Sequence, residues 1–154
     1  MNPAMVLVIK QKDFEDIQTY LFKENKEGMI LGCCKREAPC MYSLNEIFFP
    51  EKKDYKKRSQ SIVTLKAESA YPLLRKLKDN HAFLQAHNHL GKKMLFFSLI
   101  DNSNNRFNVE DIRGFNQKAD FFRIVFTKEK SLSQYYDYKK KRFKPLKLKI
   151  GKSE

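Results

Sequence analysis

Residues 83–89 read FLQAHNH, and the chain continues as LGKKMLFFSLID to Asp101. The apolar start predicts a strand leading out of the core. Side chains two apart on a strand project from the same face, so His87 and His89 present two imidazoles to one point and Asn88 faces the other way. Paired imidazoles suit a metal ion, and Zn2+ is the expected cofactor. A catalytic zinc site with three protein ligands needs one more, and Asp101 is near enough in sequence to return across a short loop, leaving the fourth position for water. Zinc lowers the pKa of its water toward ~7 and polarises a carbonyl, which with a general base nearby is amide-hydrolysis chemistry. Ser98, three residues before Asp101, is placed to donate to the oxyanion of a tetrahedral intermediate.

Outward from this stretch, the pattern alternates between strands and helices. VLVI at 6–9 predicts a strand, and Phe14, Ile17 and Leu21 recur at helical spacing after Asp13, a candidate N-cap. GMILGCC at 28–34 suits a buried central strand, and 41–49 suits another, with KREAPC as the turn between them. EKKDYKKRSQ at 51–60 reads as an exposed loop and SIVTL at 61–65 as a return to β-structure. Ala70, Leu73, Leu74 and Leu77 mark a helix face with Ser69 as N-cap, Pro72 in the first turn and an end near Asp79 and Asn80. FFRIVF at 121–126 is a later strand, and Leu146, Leu148 and Ile150 alternate with Lys147 and Lys149 as a last one. The expectation is an α/β (α+β) fold in which a mixed, mostly antiparallel central sheet is flanked by helices, built as one domain over 1–154 with a basic C-terminal strand segment at about 128–154.

His87, His89, Ser98 and Asp101, in the order HxH then SxxD, resemble the JAMM motif of the JAB/MPN metalloprotease family, in its compact bacterial form. The likeness extends from about residue 6 to 126, and the HNH triplet also occurs in the RadC-like branch. In the family a catalytic glutamate precedes a small-apolar strand, as Glu27 precedes GMILG, with Glu24 as the second candidate. The resemblance implies a JAB/MPN-like (cytidine-deaminase-like) architecture, with His87, His89 and Asp101 as zinc ligands. It also implies Glu27 as the group that takes a proton from the nucleophilic water and passes it to the leaving amine, and Ser98 as oxyanion donor. By the same likeness, the reaction is an isopeptidase or peptidase cleavage of bonds made by the C-terminus of a ubiquitin-like protein. Implied partners are that protein, its conjugates and E1/E2-like proteins, with the loop 51–59 as a rim of the docking surface. Leu90 stands where the family has proline, and Ser98 and Asp101 each lie one residue beyond the usual spacing. These departures leave two alternatives open: a metal-free MPN-like scaffold that binds a protein partner, and Asp111 in place of Asp101 if MLFFSLI is a strand.

Bulk composition narrows the remaining classes. A chain of 154 residues can bury roughly 68–70% of its unfolded surface around one core. Apolar residues make up 42%, with 13 Phe and 7 Tyr against 5 Gly and 5 Pro, which excludes collagen-like and low-complexity classes. No apolar run approaches the ~20 residues of a membrane span and no signal-peptide pattern is complete, so a soluble, cytoplasmic protein is expected. Cys33, Cys34 and Cys40 contain no CxxC pair and read as reduced structural thiols. Net charge is +13, of which residues 128–154 carry +7, an attraction toward acidic partners. The tail YYDYKKKRFKPLK combines rings and cations, which makes a nucleic-acid-binding module the third alternative.

Overall fold

The computed structural model describes residues 4–90 and 109–152. The apolar runs become strands, as the sequence predicts. β1 (Val6–Lys10) leads into helix α1 (Gln11–Phe22), and β2 (Met29–Ala38) and β3 (Met41–Phe48) follow. A 3₁₀ turn (Lys52–Asp54), β4 (Tyr55–Arg58), β5 (Val63–Leu65) and α2 (Ala67–Leu74) precede β6 (Ala82–Asn88). A short helix over 109–115, here α3, is followed by β7 (Asp120–Phe126), β8 (Ser131–Asp137), β9 (Arg142–Pro145) and β10 (Lys147–Gly151). Among the described residues, no helix is long and apolar enough to cross a membrane.

Eight strands form one mixed sheet in the order β10-β1-β3-β2-β6-β7-β8-β9, with β4 and β5 as a separate hairpin. Pairing is parallel for β1 with β10 and β3 and for β6 with β7, and antiparallel for the rest. The final segment links both edges: β9 pairs with β8, then Leu146 N–H donates to Ser133 O (3.0 Å) and Lys147 N–H to Met5 O (2.9 Å), and β10 continues along β1. The sheet is therefore curled.

Each face of the central strands is covered, which is why Met29–Cys34 of β2 reads as an unbroken apolar run rather than an alternating one and why all seven residues of β6 are buried, its polar ones included. Ile30, Cys34, Leu84, Ala86 and Phe122 pack with Ile17 and Leu21 of α1. Met29, Leu31, Cys33, Phe83 and Phe121 pack with Leu73 and Leu74 of α2, Val63 of the hairpin and Ile112 of α3. Gly32 marks a close approach within this layer: a Cβ there would lie 2.7 Å from Leu44 Cδ1 and 3.1 Å from Glu46 O. Burial pushes the Cys33 thiol up to about 11 and Cys34 well above its usual range, the behaviour of core sulfur.

Four local elements differ from the expectation. Asp13 lies in the first turn of α1, where its charge favours the helix dipole, and Lys10 is the N-cap. KREA of the supposed turn extends β2, held by backbone pairing to Met41, Tyr42 and Ser43, and the reversal is confined to Pro39 and Cys40, the latter at φ 64°. The stretch 51–60 contains β4, because Tyr55 and Arg58 turn inward while the intervening lysines keep their charges in water. α2 starts at Ala67, so Ser69 is no cap; its hydroxyl donates to Asp54 Oδ1 at 3.1 Å, and Pro72 sits inside a helix that stops at Leu74. Three-residue backbone bonds then carry the chain to Leu77.

The basic tail contains one strong ion pair, Lys144 Nζ to Asp137 Oδ2 at 2.6 Å. The ammonium, helped by the Lys140 and Lys139 amides, holds the Asp137 carboxyl at about 2. A carboxyl depressed in the folded state stabilises above its unfolded value near ~4 and loses that contribution as pH falls toward its folded value. Asp137→Asn is therefore expected to lower Tm at about pH 6, with the gap to the parent closing by about pH 2, as read by thermal melts across that range.

Candidate metal centre

β6 lies between β2 and β7, with His87 opposite Met29 on one side and Val125 on the other. His89 follows the last strand residue but keeps the ladder, its N–H donating to Phe126 O at 2.8 Å. Both imidazoles therefore share the face that carries Phe83 and Gln85, as period-two spacing requires. Each is 5% exposed, and their Nε2 atoms stand 3.2 Å apart. Two nitrogens bound to one tetrahedral zinc at about 2.0–2.1 Å would be separated by about 3.3–3.4 Å, so this pair fits the edge of such a site.

Glu27 approaches from the loop between α1 and β2 and is 2% exposed. One carboxylate oxygen of Glu27 and one nitrogen from each histidine all lie within 4.8 Å of one another, close enough to share a metal ion directly or through a water. Two imidazoles and a carboxylate are borderline and hard donors of the kind zinc takes, so the residues present fit the cofactor expected from the sequence.

The hairpin holds Glu27 from behind. Glu27 N–H donates to Ser59 O at 2.8 Å, and Arg58 Nε–H donates to Glu27 O at 3.0 Å. Arg58 lies 4.7 Å over the Tyr55 ring and pairs with Glu24 at 3.5 Å. Glu24, the second candidate for the acid/base role, thus turns its half-exposed carboxylate to Arg58, while Glu27 is the one gathered with the histidines. Ser98 and Asp101 lie outside the described residues. Asp111, the alternative to Asp101, is exposed on α3.

Beside the cluster, a groove of about 540 Å³ runs between the hairpin, α2 and α3. Met29, Leu31 and Phe83 line it, with Gln85 toward the histidines. Lys56, Lys57 and Lys66 also border the groove and are exposed. Sequence reasoning missed the two residues that hold the glutamate loop, Arg58 and Asn88. A signal for Asn88 was present: an amide on the buried side of a strand needs partners for both its donor and its acceptor.

Neither protein-family models nor curated proteins give a match to the sequence. Among solved structures, the fold is similar to the solution structure of protein DSY2949 from Desulfitobacterium hafniense. The two share 10% identity and a TM-score of 0.57, over 96% of this chain and 95% of that one. The likeness is one of fold.

Proposed function

We propose that the protein is a zinc-dependent isopeptidase or peptidase of JAB/MPN-like architecture, acting on bonds made by the C-terminus of a ubiquitin-like protein. The observation that carries this reading is the convergence of Glu27, His87 and His89 at one buried point. His87 and His89 would hold the metal through their imidazoles, and Asp101 would be the third ligand. When bound, zinc supplies a Lewis acid and a water of lowered pKa. The Glu27 carboxylate takes the proton from the attacking water and returns it to the leaving nitrogen, a task that requires an acceptor within hydrogen-bond reach of both. Ser98 would supply the oxyanion donor. Burial of all three clustered groups removes competing water, which strengthens each charge-assisted contact. The lysine-bordered groove beside the site suits an extended acidic or mixed-charge segment arriving at the metal.

A panel of ubiquitin-like proteins carrying a fluorogenic amide at the C-terminus tests this reading. Release of the fluorophore is expected with the parent protein, to stop with chelator and return with added Zn2+, and to be absent for folded His87→Ala. Release by His87→Ala at the parent rate contradicts the mechanism. Failure of the parent to release any member of the panel, with no zinc retained on purification, favours the metal-free scaffold.

A further inference from the structure

We propose that Asn88 is a positioning residue that fixes the Glu27 carboxylate over the two imidazoles. The proposal rests on the metallohydrolase reading above and assigns the residue between the histidines a task of its own. Asn88 is 0% exposed and lies on the face of β6 opposite the imidazoles. Its Oδ1 accepts the Gly28 N–H at 2.5 Å, and its Nδ2 donates to Lys26 O at 3.5 Å. Its own N–H donates to Gly28 O at 3.4 Å. One side chain thus grips the backbone immediately before and after Glu27, while Ser59 O and Arg58 Nε–H grip the N–H and C=O of Glu27 itself.

The chemistry explains why an amide stands there. Residues 23–28 connect α1 to β2 without being part of either, and a connecting loop is ordinarily the mobile part of a fold. A general base is effective only when held in place before the reaction, and a misplacement of ~1 Å costs about 10²-fold in rate. An amide offers a donor and an acceptor in one plane, matching a carbonyl and an N–H that lie two residues apart along the loop. Aspartate would lose the donor and bury a charge, and serine would be too short to span both groups. Because Asn88 stands between His87 and His89 at the end of β6, the bond to Gly28 sets the glutamate loop and the histidines in one frame. Arg58 completes the frame from the hairpin.

Two variants, Asn88→Ala and Arg58→Lys, test this in the zinc-loaded protein. In Asn88→Ala, exchange of the Gly28 amide followed by NMR is expected to quicken about 10²-fold relative to the parent, with the Ile30 amide in β2 unchanged. Zinc affinity, measured by competition with a chromogenic chelator, is expected to stay within about threefold, since Asn88 bonds the loop and not the imidazoles. With the fluorogenic amide as probe, kcat is expected to fall about 10²-fold and KM to stay within about twofold. Arg58→Lys keeps the charge but loses the Nε–H, and a kcat about tenfold lower is expected for it even if Asn88→Ala does not fold. Unchanged Gly28 exchange in folded Asn88→Ala overturns the proposal, and so does a parental kcat in both variants alongside an inactive Glu27→Gln. A Glu27→Gln protein that keeps parental turnover overturns the hydrolase reading instead.

Discussion

Glu27→Gln is expected to keep its zinc and lose its turnover. Glutamine has the volume and hydrogen-bonding reach of the carboxylate it replaces but no basic oxygen to carry a proton. Positioned acid–base groups contribute about 10²–10⁴-fold, so kcat for the fluorogenic amide should fall by that factor while KM changes little. The imidazoles remain 3.2 Å apart at Nε2, so elemental analysis should return the parental zinc content. Parental kcat in this variant would leave Glu27 as a buried carboxylate with no part in proton transfer. A zinc-free variant would instead make Glu27 a direct ligand rather than the carrier of the proton.

Phe122→Ala is expected to be the most damaging single change to stability. Phe122 is fully buried, pairs across the sheet with Leu84 of β6 and Tyr135 of β8, and meets the Tyr42 ring edge-on at 4.8 Å. Tyr42 in turn donates its hydroxyl to Asp120 Oδ2 at 2.6 Å, at the start of the same strand. Truncating a buried phenylalanine costs about 3–5 kcal/mol through lost transfer energy and the cavity left behind. Against a typical total of ~5–15 kcal/mol this is a large fraction. Urea unfolding at 25 °C should show a loss of that size in unfolding free energy, seen as a lower midpoint with an unchanged slope. A loss below about 1 kcal/mol would mean that the layer between α1 and the sheet collapses around the gap.

The legible parts of the fold are those dense in apolar, β-forming residues. GMILGCC is a central strand covered on both faces, where a continuous apolar run is expected, whereas VLVI fully buries only Leu7 and Ile9, and FLQAHN and FFRIVF carry buried polar groups at Gln85, His87, Asn88 and Arg123. The β4–β5 hairpin was hidden because its strands are short and two of the four residues of β4 are exposed lysines, a composition that reads as loop. The start of α2 was misplaced because Ser69 spends its hydroxyl on Asp54 rather than on a helix amide. The closure through Leu146 depends on a pairing between chain ends, which no local pattern encodes.

For the site, HxH was legible because period-two spacing alone puts two side chains on one face. The choice between Glu24 and Glu27 was not, since both stand before GMILG. Their separation arises from Arg58, thirty-odd residues on, which pairs with the carboxylate of Glu24 and bonds only the backbone carbonyl of Glu27. The latch formed by Asn88 was equally hidden, because its partners at Lys26 and Gly28 are more than fifty residues away in sequence.

One zinc ion per chain is expected between His87 Nε2 and His89 Nε2. Elemental analysis of protein purified without chelator, combined with X-ray absorption at the zinc edge, tests it most directly. The expected result is one zinc per chain with nitrogen scatterers at about 2.0–2.1 Å, lost in His87→Ala. Protein that purifies without zinc, and binds added Zn2+ no more tightly than His87→Ala does, would contradict it.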